Sequence, residues 1–284
     1  MLLLCLAGDL GGELADGPEA RSEGFYAALY EEPDRLRAED LNRALQPDHL
    51  ERLRYTNFPL QAYGALFKWE VLVRDVIEIY RRPWQDVATA HNLTMPDDED
   101  VLRAVDLRPE RAIMQNFLWS DDWGETQQLA FEHFEAKARV LESFDFAPAD
   151  GVLEWLQTLK EYQVPCCCCA GTSLLKNQAE QMLSSAGLAD YIDAVVSAED
   201  GCETPEQTYL VSCVKVRRPP ERCVVFEDSP RGIVAAHDAQ IKAVGVVSSL
   251  HNGGDLRHAE MRVSGLDDLS LMSLRDIFKD ASPI

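Results

Sequence analysis

Residues Cys223–Val246 read CVVFEDSPRGIVAAHDAQIKAVGV, and this stretch decides the fold. The apolar run Cys223–Phe226 has the composition of a strand buried on both faces, and Glu227 and Asp228 follow at its C-terminal end. Ser229-Pro230-Arg231-Gly232 turns the chain, Ile233–Gln240 carries a helical pattern, and Ala243–Val247 reads as the next strand. A strand-loop-helix-strand unit of this kind predicts a parallel sheet with helices on its faces. Ligands of such sheets sit beyond the carboxyl ends of the strands, which makes Asp228 a candidate ligand for a hard cation such as Mg²⁺, with Glu227 beside it. The same two carboxylates also suit the N-terminus of the following helix, which favours negative charge.

The chain has 284 residues, enough for one sizeable core and a smaller second one. A hydrophobic fraction of 46% with 27% charged residues is that of a soluble globular protein. The formal charge of −22 and pI near 4.6 exclude a phosphate-backbone reader, which needs clustered Lys and Arg. No nucleic-acid or membrane partner is expected. Of the eight cysteines, four are consecutive (Cys166–Cys169) within an expected strand, and outside that run no spaced metal pair of the CxxC type occurs. They read as buried, reduced, small apolar residues of a reducing compartment. The opening MLLLCLAG lacks a basic segment and is too short to span a bilayer.

Val225-Phe226-Glu227-Asp228-Ser229, with Gly232-Ile233, Ala235-Ala236 and Ala239 behind it, resembles the fourth motif of the haloacid dehalogenase-like hydrolases, in their phosphatase and phosphomutase branch. The resemblance implies an α/β fold: a three-layer Rossmann-like core with a parallel sheet and an inserted α-helical cap. It also implies a first motif, hhhFDxDGxxx, whose first Asp attacks phosphorus and whose second is the general acid and base. Tyr63-Gly64-Ala65-Leu66-Phe67 reads as the strand before that motif. Phe67 then matches the Phe, Lys68 stands at the nucleophile position, Glu70 at the second Asp and Val71 at the Gly. Plant plastid members that read FEWEG here look most similar, so plastid stroma and cytosol are both open as compartments. The spacings from Lys68 to Thr172 and to Asp228 suit members with the cap inserted just after the first motif.

The second motif of the resemblance places a Ser or Thr at a strand end to bind phosphoryl oxygens. Thr172 and Ser173 follow the expected strand Val164–Ala170 and qualify, Thr172 first, although either could equally be the N-cap of the next helix. The third motif carries a lysine, and the corresponding segment reads Glu203-Thr204-Pro205-Glu206, with Glu203 nearest to it. Lys68 and Glu203 thus carry charges opposite to those the motifs imply. A reversed ion pair between them, shared with Asp228, is expected in the place of metal and phosphate.

The expected organisation is an N-terminal helical extension over 1–62, a core formed by 63–75 and 147–272, a helical cap over 76–146 and a C-terminal tail over 273–284. Pro-Asp pairs at Asp34 and Asp48 start two short helices in the extension, which packs on the core or serves as a docking arm. Apolar residues at three-and-four spacing run through the cap. Its His91 and His133 sit among polar neighbours and read as solvated.

A lysine at the nucleophile position cannot form an aspartyl-phosphate and would repel Mg²⁺. The reading is therefore a catalytically impaired pseudo-phosphatase with a structural, regulatory or ligand-sensing role and no required cofactor. One alternative is a Mg²⁺-dependent phosphatase of a small phosphate ester. It would use Glu70 and Asp228 as metal ligands with an activated water, or an N-terminal motif in which Asp9 is followed by Gly11, Gly12 and Asp16. The other is a docking subunit of a larger assembly, its protein partner held through residues 1–62 or the acidic surface.

Overall fold

The computed structural model describes residues 23–29, 32–105, 107–248, 250 and 256–279. The stretch with Asp9, Gly11, Gly12 and Asp16 lies outside the described residues. So does the Gly-rich loop at 251–254.

In chain order the elements are α1 (Glu23–Leu29), α2 (Ala38–Ala44), α3 (His49–Asn57), β1 (Gly64–Lys68), α4 (Trp69–Leu72), α5 (Ile77–His91), α6 (Asp98–Ala104) and α7 (Trp123–Ser143). They continue with α8 (Val152–Glu161), β2 (Cys166–Cys169), α9 (Lys176–Ser185), β3 (Ala194–Val196), α10 (Pro205–Val216), β4 (Cys223–Glu227), α11 (Pro230–Asp238), β5 (Lys242–Val246), β6 (Met261–Val263) and α12 (Leu271–Ile277). Among the described residues the strands form one parallel sheet of six, in the order β3-β2-β1-β4-β5-β6. The expected α/β Rossmann-like architecture is the one observed.

Alternation across the pleat explains why these strands are apolar throughout. Ala65, Phe67, Cys166, Cys168, Val224 and Phe226 enter the core on one face, while Leu66, Cys167, Cys169, Cys223 and Val225 enter the core on the other. Phe67 stands opposite Phe226 in the β1–β4 register, and their rings stack at 4.5 Å between centroids. The next residues on these two strands, Lys68 and Glu227, therefore emerge side by side at the carboxyl end. The described cysteines, Cys166–Cys169, Cys202, Cys213 and Cys223, are free and buried.

A third, smaller core of Trp84, Val87, Ala104, Ile113 and Leu129 lies among the helices between α5 and α7. The chain returns from α7 to the sheet through Gly151, whose φ of 76° lies in the left-handed region. A Cβ there would overlap the backbone of Asp267, so glycine is needed for both reasons.

Asp48 caps α3 with a reciprocal bond to Glu51, as its position before the helix suggested, whereas Asp34 lies in a single 3₁₀ turn at Pro33–Arg35. Ala38, Leu41 and Leu45 bury their side chains against the sheet's second core. β2 spans only Cys166–Cys169 of the expected Val164–Ala170, and the Cys166 amide at its start donates to Asp193 Oδ2. Among the described residues no helix is long and apolar enough to cross a membrane.

Candidate functional site

Beyond the carboxyl ends of β1, β2 and β4 lies a cleft of about 860 Å³ between the sheet and the α5–α7 helices. Lys68, Glu70, Thr172, Ser173, Glu203 and Glu227 all line it. A second cavity of about 600 Å³ runs along the β3 edge at Ile192–Val195 and holds none of these residues.

At the centre, Lys68 Nζ donates to Asp228 Oδ1 at 2.9 Å and lies 3.8 Å from Glu227 Oε1. The side chains of Lys68, Asp228 and Glu227 are 16%, 0% and 2% exposed, so this is a buried ion cluster. The other carboxylate oxygens also have partners within the protein. Ser248 Oγ donates to Asp228 Oδ2 at 2.5 Å, Tyr209 O–H donates to Glu227 Oε1 at 2.7 Å, and Glu227 Oε2 accepts from the Ser229 N–H at 2.7 Å and its O–H at 3.0 Å. Burial alone would push the Lys68 ammonium down, but Glu227, Glu70 and Asp228 together hold it well above the usual lysine range.

Ser229 is the N-cap of α11, accepting from the Gly232 N–H at 3.0 Å, with Pro230 starting the helix. Glu227 positions that cap and Asp228 faces Lys68, so neither carboxylate is itself the cap. In the second motif, Thr172 is exposed and Ser173 half-buried in the turn after β2, and the α9 N-cap is Leu175. Neither hydroxyl residue caps that helix.

The expected Lys68–Glu203 pair does not form: among the described ion pairs Lys68 reaches only Asp228 and Glu227. The reason is local. Thr204 caps α10 in a reciprocal box with Gln207, and Pro205 opens the helix, which leaves Glu203 exposed at the rim with its N–H donating to Gln207 Oε1 at 2.6 Å.

Glu70 is 5% exposed, accepts from Tyr80 O–H at 2.8 Å through Oε1, and leaves Oε2 buried without a partner. Burial raises its carboxyl to about 7, against the attraction of Lys68 and with the added repulsion of Asp228. The folded protein therefore holds this proton up to about 7, while the unfolded chain releases it near 4.5, so the associated stability is full below 4.5 and lost as pH rises through 7. Glu70→Gln is expected to remove a loss on the order of 3 kcal/mol between acid and neutral pH. Urea midpoints of both proteins across that window measure it, and parallel curves would rule it out.

His133, expected to be solvated, is 8% exposed and stacks on Trp84 at 3.6 Å between centroids. Burial and then Lys137 push it down to about 3, so it is neutral. His91 keeps a partly exposed contact with Glu132. Sequence reasoning missed Tyr80, Tyr209 and Ser248. A tyrosine within the apolar run of α10 was a usable signal, because a buried phenol needs a partner, and Ser248 stands just past the end of β5, where ligand-facing groups collect.

The Mg²⁺ that the motif resemblance implies does not fit this donor set. The Lys68 ammonium stands against Asp228, every oxygen of Asp228 and Glu227 already accepts from the protein, and among the described residues no three His, Cys, Asp or Glu are arranged to hold a metal ion.

Residues 75–246 match the family described as haloacid dehalogenase-like hydrolase, a match that starts just after the first motif. The chain is 28% identical over 241 residues to a chloroplastic 5-amino-6-(5-phospho-D-ribitylamino)uracil phosphatase of Arabidopsis thaliana, covering 83% of this chain but only 63% of that protein. It is 29% identical over 192 residues to a validoxylamine A 7'-phosphate phosphatase of Streptomyces hygroscopicus subsp. limoneus, covering 66% of this chain and 87% of the relative. A solved β-phosphoglucomutase of Clostridium difficile superposes with a TM-score of 0.62 at 20% identity, over 77% of this chain and 97% of that one, which concerns the fold alone. The motif residues on β1 and β4, the parallel sheet and the extent of the family match lead to one assignment: this chain belongs to the haloacid dehalogenase-like hydrolases.

Proposed function

We propose that the cleft binds a phosphate monoester and that the chain does not transfer the phosphoryl group through an aspartyl-phosphate. The observation that carries this reading is the Lys68–Asp228 ion pair at the carboxyl ends of β1 and β4. An ammonium held above its usual pKa has no lone pair with which to attack phosphorus. Its positive charge remains useful for an anion, and Arg108, Lys137, Arg231 and the Thr172 hydroxyl line the same cleft in a chain whose net charge is −22. The names of the Arabidopsis and Streptomyces relatives, both phosphatases of bulky polar phosphate esters, support the ligand class.

A second reading, a hydrolase acting through activated water, is favoured by Glu70. A carboxyl raised to about 7 is tuned for general base work at neutral pH, and the curated relatives are phosphatases.

One assay separates the two: a panel of phosphate esters with Mg²⁺, run for turnover and for thermal shift with wild type, Glu70→Gln and Thr172→Val. The first reading expects turnover no higher than in Glu70→Gln, together with an ester-induced rise in Tm that Thr172→Val reduces. Turnover abolished by Glu70→Gln would establish the hydrolase. No ester raising the Tm, with no turnover, would overturn both.

A further inference from the structure

Asp228 and Glu227, the two carboxylates beneath the cleft-lining Lys68, are buried and satisfied by Lys68, Ser248, Tyr209 and Ser229. A divalent cation ligated by Asp228 would have to displace the ammonium from Oδ1, where it sits at 2.9 Å, and would then face that ammonium as a like charge across a short, poorly solvated distance. The charge balance points the same way. Lys68 with Asp228 and Glu227 carries one net negative charge. An aspartate at position 68 would change the cluster by two units, which is the charge of one divalent cation. With lysine the cluster already stands at the net charge that three carboxylates would reach only with a divalent cation bound.

We infer that the Lys68 ammonium is a tethered replacement for the divalent cation, and that the cleft takes the phosphate of its ester without metal. Lys68 lines the cleft, and of its three N–H donors one is committed to Asp228, so the same ammonium that neutralises the carboxylates is presented to a phosphate oxygen. The cation replacement stands on the cluster itself, whereas the metal-free binding of phosphate rests on the function proposed above.

The test titrates Mn²⁺ into the full chain and reads the free ion by electron paramagnetic resonance, with wild type, Asp228→Asn, Lys68→Asp and Lys68→Gln. Wild type is expected to take up no more Mn²⁺ than Asp228→Asn. Lys68→Asp is expected to take up one ion, lost again when Asp228→Asn is added, and to gain about 5 °C in Tm with saturating Mg²⁺. If Lys68→Asp does not fold, Lys68→Gln, which lifts the positive charge alone, is expected to show the uptake more weakly. A wild-type ion abolished by Asp228→Asn would overturn the inference, as would folded Lys68 variants that take up none. Inorganic phosphate supplies the second arm. A rise in wild-type Tm that is equal with EDTA and with Mg²⁺ supports metal-free binding, and one that needs Mg²⁺ overturns it. No phosphate response, with the Mn²⁺ results as expected, would remove the ester ligand while leaving the cation replacement in place.

Discussion

Lys68→Met is expected to cost about 3–5 kcal/mol of folding stability, the range for removing one partner of a buried ion pair. Asp228 is 0% exposed and Glu227 2%, so neither carboxylate can turn to water once the ammonium is gone. Ser248 and Tyr209 still donate to them, but a hydroxyl neutralises no charge. The loss therefore comes mostly from stranded negative charge and only in small part from packing, since methionine keeps much of the lysine stem. That origin has a measurable signature. Adding Asp228→Asn to Lys68→Met should return a large part of the loss, because the double variant leaves one fewer charge unpaired. Urea unfolding of wild type, both single variants and the double variant closes the cycle. Additive losses would mean that Lys68 and Asp228 do not neutralise one another.

The second large effect is expected for Gly232→Ala, a loss of about 3 kcal/mol or more, at the upper end for overpacking a core. A Cβ at Gly232 would overlap the Glu227 carboxyl group, which Tyr209 and Ser229 hold in place. Either α11 moves away from β4, or Glu227 gives up its hydrogen bonds and its place beside Lys68. Glycine is thus required here for space, in a helix whose backbone any residue could adopt. In a Glu227→Ala background the carboxyl is absent, and Gly232→Ala should then be neutral or stabilising by up to about 1 kcal/mol, the gain expected from helix propensity alone. An undiminished penalty in that background would show that α11 is crowded by something other than Glu227.

Much of the fold was legible in residues 223–247, where an apolar run, two carboxylates, a turn and a helix follow in an order that admits few topologies. The β1 assignment rested on less, a short apolar run before Lys68, and the register with Phe226 gives that run its place. Boundaries were the weak point: β2 begins at Cys166 rather than at Val164, where the Cys166 amide donates to Asp193, a residue distant in the chain. His133 was misread for a related reason. Glu132 and Glu135 beside it in sequence are polar, but Trp84, which buries it, comes from another helix.

The parallel α/β architecture, the family resemblance and the identity of the odd charges at positions 68 and 203 were readable from the residues alone, because hydrophobic period and motif spacing are local properties of the chain. What those charges do follows from the packing of the sheet. Lys68 is neutralised by Asp228 and Glu227 because β1 and β4 are neighbours in register, while Glu203 is left at the rim because Thr204 and Pro205 start a helix beside it. Coulomb energy depends on distance and burial, and a pair 160 residues apart in sequence and 2.9 Å apart in space acquires both only when the sheet closes.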